Sequence, residues 1–218
     1  MRGFSAGLAA CGLALGIAGC SAGNPVPDRP KSFAYFRFEA TIPQQRDFTC
    51  GAASLATLIT FYWGKVVTEN QALDTLKGRY TDAEIAKLGE TGLSFDDIIY
   101  MAGKLGFSAE GAKIPRDQLA DVAGPLIVHL DKGALKHFVV LRKTGDKVYY
   151  VSDPIVGQLT MTETEFADQY TGNALAVYKT NNPLPRNAIL ENPRDGLRAG
   201  DSVRNVINVP NPPFAAHL

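Results

Sequence analysis

The chain has 218 residues, enough for one domain with a substantial core, and 45% of them are apolar. Its 22 basic and 22 acidic residues cancel. That balance leaves no electrostatic footprint for nucleic acid and argues against a polybasic membrane-binding surface.

The amino terminus reads differently from the rest. Met1-Arg2 gives a small positive start, and Leu8 to Ala18 is an apolar run that contains Cys11. The run is short for a bilayer span and ends in small residues, as a secretory signal does. Ala18-Gly19-Cys20 resembles a bacterial lipobox, which implies cleavage before Cys20 and lipidation of that residue. Ser21, rather than Asp, follows it, which implies the outer membrane of a Gram-negative cell. The alternatives are an ordinary signal peptide cut near Ala22 and an ordinary apolar amino terminus. We therefore expect a signal over 1–19, a flexible tether rich in Pro, Gly and Ser over 20–32, a folded domain over 33–180, and an extended or disordered tail over 181–218. With Cys11 removed and Cys20 lipidated, Cys50 is left as the only thiol and has no disulfide partner.

Within the domain, partial alternation over Phe33 to Ala40 predicts a strand. From Cys50 the apolar positions Leu55, Leu58, Ile59 and Tyr62 follow helical spacing and mark the main core helix. Capping boxes at Thr68, Thr81 and Ser94 open three further helices, the last stopping at Gly106. The period then changes. Pro125 to Leu130 is a short apolar strand, and Phe138 to Arg142 and Val148 to Val151 flank a hairpin turn at Thr144 to Lys147. A capped helical stretch starts at Thr162, and Ala174 to Tyr178 is a last strand. Helices first and antiparallel strands later predict an α+β fold with N-terminal helices packed on a C-terminal sheet.

Cys50 opens the core helix, where unpaired N–H groups and the dipole favour negative charge and hence a thiolate. Gly51 beside it suggests open space for a substrate. A packed core cysteine is the alternative. As a base the domain offers His129 and His137, either of which read alone is a satisfied core or surface histidine. A hairpin turn centred on Gly145 sets His137 opposite Asp153, and a one-residue change of turn still leaves both at the hairpin's open end. An Asp there would fix the tautomer of the imidazole, and Pro154 would end the strand behind it. By itself Asp153-Pro154 is also a common turn. Gln44 and Gln45 both qualify by type as side-chain oxyanion donors, beside the Cys50 N–H, although lone glutamines are usually solvated.

The order Gln, Cys, His, Asp resembles that of papain-like cysteine peptidases, and the local motifs resemble peptidase family C39, whose members cut bacteriocin leader peptides. Gln44 stands six residues before Cys50-Gly51, His137 begins His-Phe-Val-Val, and Asp153-Pro154 follows. The resemblance covers about Ile42 to Tyr178. It implies a papain-like fold and Cys50 as nucleophile, with His137 as base and Asp153 as its orienter. Gln44, not Gln45, would be the oxyanion donor. It implies no metal and no organic cofactor. The substrate implied is an exported polypeptide cut after small residues such as Gly-Gly, bacteriocin-like or part of a functional-amyloid system. Partners would be a secretion apparatus or a fibril subunit, with the membrane reached through the lipid anchor and with no nucleic acid. Lys136 stands where the family commonly has Gly, which predicts different access around the base. Nothing after Tyr178 reads as a membrane-spanning or ATPase domain, so a free-standing exported form, periplasmic and anchored at the outer membrane, is expected. A non-catalytic C39-like module that binds an export substrate is the competing reading, and acyl transfer to an amine is a second one.

Overall fold

The computed structural model describes residues 32–133 and 136–180. The expected signal, Cys20 and the tail from Asn181 lie outside the described residues. The first element is a short helix, α1 (Phe33–Arg37), where alternation predicts a strand. Ser32 decides this locally: its Oγ accepts from Tyr35 N at 3.2 Å and its carbonyl from Phe36 N at 3.4 Å. Such a cap starts a helix. Among the described residues no strand pairs with this segment.

Helix α2 (Cys50–Phe61) is apolar on every side, and ten of its residues from Cys50 to Ile59 are buried. A helix with that pattern belongs in the middle of a core. Around it lie α3 (Glu69–Asp74), α4 (Asp82–Thr91) and α5 (Phe95–Lys104), each opened by a complete capping box at Thr68, Thr81 and Ser94. After Gly106, at φ +86°, the chain enters strands β1 (Ser108–Lys113), β2 (Leu126–Asp131), β3 (Lys136–Gly145), β4 (Val148–Asp153), β5 (Gly157–Thr162) and β6 (Tyr170–Tyr178). The short helix α6 (Glu163–Ala167) precedes β6 and is capped at Thr162.

The six strands form one antiparallel sheet in the order β1-β6-β2-β3-β4-β5. Side chains alternate between its two faces. Ile127, Phe138, Val140 and Leu175 pack against α2 and α5. Val128, Val139, Leu141 and Val151 face the other way, under Phe166 of α6 and Leu119. This is the α+β architecture that the change of period predicts. Strands β1 and β5 are not evident in the sequence, because they are edge strands. β1 (SAEGAK) is largely exposed and lacks an apolar alternation.

Candidate active site

Cys50 is the first residue of α2, and Thr49 before it makes no side-chain cap. The first N–H groups of the helix therefore keep no side-chain partner from Thr49 and remain available to a ligand. Two contacts fix this end of α2 against the sheet. Ser54 Oγ donates to the Phe138 carbonyl at 3.0 Å. A Cβ on Gly51 would sit 3.0 Å from Ile98 Cδ1 and 3.3 Å from Phe138 Cδ2. Gly51 is thus a buried point of close helix–sheet approach, not the open space its lack of side chain suggests. Both contacts hold Phe138, and so its neighbour His137, next to the start of the helix.

The β3–β4 hairpin turns at Asp146-Lys147, with Gly145 paired to Val148 and Lys147 at φ +56°. The expected centre on Gly145 is displaced because Gly145 is a strand residue here. A Cβ on it would come within 2.9 Å of Val148 Cγ2 and 3.3 Å of Tyr150 Cε2, so a larger residue there would displace these side chains. A register shift between Leu141 and Lys143 then sets Val140 opposite Ser152. His137 is therefore not directly opposite Asp153. It reaches the carboxylate diagonally, with Nε2 donating to Asp153 Oδ1 at 2.8 Å.

Asp153 is held from three sides. Its Oδ1 also accepts from Ile155 N at 2.7 Å and from Val156 N at 3.4 Å, an Asx turn, while Oδ2 lies 3.4 Å from Lys132 Nζ. Pro154 follows the last residue of β4, as its missing N–H requires. Both members of the pair are almost fully buried, each with 1% of its surface exposed, whereas Cys50 keeps 7%. Burial opposes a charged His137, but the hydrogen bond to Asp153 and the influence of Asp153 and Cys50 as negative neighbours outweigh it and raise its pKa to about 9. Burial likewise opposes an ionised Asp153, and the His137 hydrogen bond, the His137 charge and Lys132 still hold its carboxyl below the usual range. Since Nε2 is on Asp153, the interaction with Cys50 falls to Nδ1. That nitrogen makes no formed hydrogen bond among the described residues, and catalytic contacts are often this loose without substrate.

Gln44 lies in the loop that leads into α2. Its backbone N donates to the Pro154 carbonyl at 3.0 Å, which ties the loop to the residue after Asp153. Its side-chain Nε2 donates to the Arg46 carbonyl at 3.1 Å, leaving the second N–H of that amide for another acceptor. Segment 43–47 and Pro154-Ile155 form the walls of an open cleft of about 460 Å³. Gln45 is placed differently, its backbone N pointing to Glu69. His129 lies on the α2 face of the sheet against Phe95 and Phe138, with Nδ1 3.1 Å from Thr171 Oγ1. No group of three or more His, Cys, Asp or Glu that could hold a metal occurs among the described residues. Two residues here escaped the sequence reading, Lys132 and Glu69. Each sits in a local pattern with an ordinary explanation, a turn for Lys132 and an acidic first helical turn for Glu69.

Residues 39–182 match the peptidase C39 family. The chain belongs to peptidase family C39. It is 33% identical over 174 residues to the probable functional amyloid protease FapD of Pseudomonas aeruginosa, covering 78% of this chain and 76% of that one. It is 31% identical over 134 residues to the lactococcin-G-processing and transport ATP-binding protein LagD of Lactococcus lactis, covering 60% of this chain and 18% of LagD. The fold is also that of the family. The peptidase domain of Streptococcus ComA, a bi-functional ABC transporter, superposes with a TM-score of 0.55 at 24% identity, over 65% of this chain and 98% of that domain.

Proposed function

We propose that this C39 chain is an exported cysteine peptidase in which Cys50 is the nucleophile, His137 the acid and base, Asp153 its orienter and Gln44 an oxyanion donor. One observation carries the reading: Asp153 holds Nε2 of a buried His137, which leaves Nδ1 as the ring nitrogen with no hydrogen-bond partner among the described residues, while Cys50 opens a helix without a side-chain cap. A proton moved from Cys50 to Nδ1 gives a thiolate–imidazolium pair. The sulfur then attacks the scissile carbonyl carbon, and the carbonyl electrons move to oxygen, where the Cys50 N–H and Gln44 amide would hold them. Collapse breaks the C–N bond, and the departing amine takes the proton from His137. Water, giving its proton to His137, attacks the thioester and releases the acid and the Cys50 thiolate.

The substrate reading is an exported polypeptide cut after small residues such as Gly-Gly. Similarity to FapD favours a component of a functional-amyloid system over a bacteriocin-like one. The Ala18-Gly19-Cys20 motif supports anchoring at the outer membrane through Cys20. Cys20→Ala should release the protein from the membrane fraction, and retention there would overturn the anchor.

The decisive experiment treats the purified protein at neutral pH with a thiol-directed peptidase inhibitor and follows cleavage of candidate exported polypeptides. Wild type should be modified at Cys50 and should cleave; Cys50→Ser should do neither. An unreactive Cys50, with substrate bound but uncut, would leave the binding-module reading instead.

A further inference from the structure

Glu69 is a buried carboxylate without a cation. It is 1% exposed, and no ion pair involves it among the described residues. Such a group is costly to bury and persists where hydrogen bonds compensate it. Its compensating donors all come from one place. Gln45 N donates to both carboxylate oxygens at 3.1 Å, and the Thr49 hydroxyl donates to the same carboxylate. Thr49 Oγ1 also lies 2.8 Å from the Arg46 carbonyl, which accepts from Thr49 N at 3.2 Å as well.

These partners are not scattered over the surface. Gln45 follows Gln44 and Thr49 precedes Cys50, so Glu69 grips both ends of the loop that joins the two. The helix it opens does not need it: the capping box of α3 is completed by Thr68 and Gln71. Thr49, for its part, spends its hydroxyl on Glu69 and Arg46 rather than on capping α2. Both local sacrifices have one common consequence, a rigid spacing between the Gln44 and Cys50 backbones.

We propose that Glu69 is a positioning residue for oxyanion stabilisation, a buried carboxylate that sets the Gln44 amide against the Cys50 N–H by clamping the loop between them. The inference rests on the peptidase reading above. An oxyanion pocket works only when its donors are pre-placed, and a displacement of about 1 Å costs on the order of 10²-fold in rate. The clamp touches neither Cys50 nor His137 through a side chain, so its loss should spare the nucleophile.

The test compares full-chain wild type, Glu69→Ala, Glu69→Gln and Thr49→Val in three readouts. These are turnover of a fluorogenic Leu-Gly-Gly peptide, affinity for the matching peptide aldehyde, and alkylation of Cys50 by iodoacetamide, which forms no oxyanion. Glu69→Ala should lose about 10- to 100-fold in kcat with KM changed less than about 3-fold, and aldehyde affinity should fall in parallel. Alkylation should stay within about 3-fold of wild type. Glu69→Gln should recover most of the loss, because its amide oxygen still accepts from Gln45 N and its NH2 can donate to Thr49 Oγ1. Thr49→Val covers the case in which Glu69→Ala does not fold, and should reproduce a smaller kcat loss. Alkylation, kcat and folded fraction falling together would make Glu69 merely structural and overturn the inference. So would an active wild type whose kcat and aldehyde affinity are matched by Glu69→Ala, or by Thr49→Val where Glu69→Ala does not fold. A wild type that neither cleaves the peptide nor binds the aldehyde would instead overturn the peptidase reading, and this inference with it.

Discussion

His137 and Asp153 meet at 2.8 Å although they are not cross-strand partners. The register beyond the β3–β4 irregularity pairs Val140 with Ser152, and its continuation sets Asp153 opposite Val139. His137 and Val139 share a face because strand side chains alternate. The imidazole therefore leans along the strand to the carboxylate, which the Ile155 N–H and Lys132 hold in place.

Asp153→Asn should keep the turn, since an amide oxygen still accepts from Ile155 N, but the ring loses its charged acceptor. We expect kcat to fall by about 10²- to 10⁴-fold and stability by about 1–3 kcal/mol. Steady-state kinetics and urea unfolding measure the two. Unchanged kcat would remove Asp153 from the mechanism.

The pH dependence follows from the raised pKa of His137. A group raised in the folded state stabilises it fully below the unfolded value, here 6.5, and loses that contribution as pH rises through about 9. The imidazolium needed for the ion pair disappears over the same range. The kcat/KM profile should thus show an alkaline limb near pH 9, with stability declining between 6.5 and 9. In Asp153→Asn the limb should move to lower pH, because burial then acts with less opposition. A limb that stays put in the variant contradicts the pairing.

Gln44→Ala removes the side-chain amide and keeps the backbone bond to Pro154. The loop should hold its path while kcat drops about 10²- to 10³-fold, with KM little changed. A loss under about 3-fold would mean that another donor serves the oxyanion. The same substitution at Gln45, whose contact is through the backbone, should change kcat less than about 2-fold.

Gly51→Ala tests the close approach of α2 to Ile98 and Phe138. Alanine favours a helix over glycine by up to about 1 kcal/mol, but the added Cβ meets two buried side chains at 3.0 and 3.3 Å. Ile98 is fully buried and has little room to yield. A net loss of about 1–2 kcal/mol is expected from chemical unfolding. A gain would show that Ile98 and Phe138 can repack.

Local chemistry was readable from the chain alone. The boxes at Thr68, Thr81, Ser94 and Thr162 set their helix starts, because a cap depends on residues three positions apart. The apolar period placed α2 and the central strands, and hence Cys50 at a helix start and His137 with Asp153 at one end of a hairpin. Only the tertiary structure decided what depends on distant partners. Ser32 outweighed a weak alternation and made α1 a helix, while edge strands β1 and β5 exist because a neighbouring strand supplies their hydrogen bonds. The turn at Asp146-Lys147 moved His137 and Asp153 out of direct opposition, and the register shift between Leu141 and Lys143 left them diagonal. Glu69 met Gln45 and Thr49 from 24 and 20 residues away, a distance at which a glutamate in the first turn of a helix looks like any other. Sequence determines a contact when the chain's own period brings the residues together, and packing determines the rest.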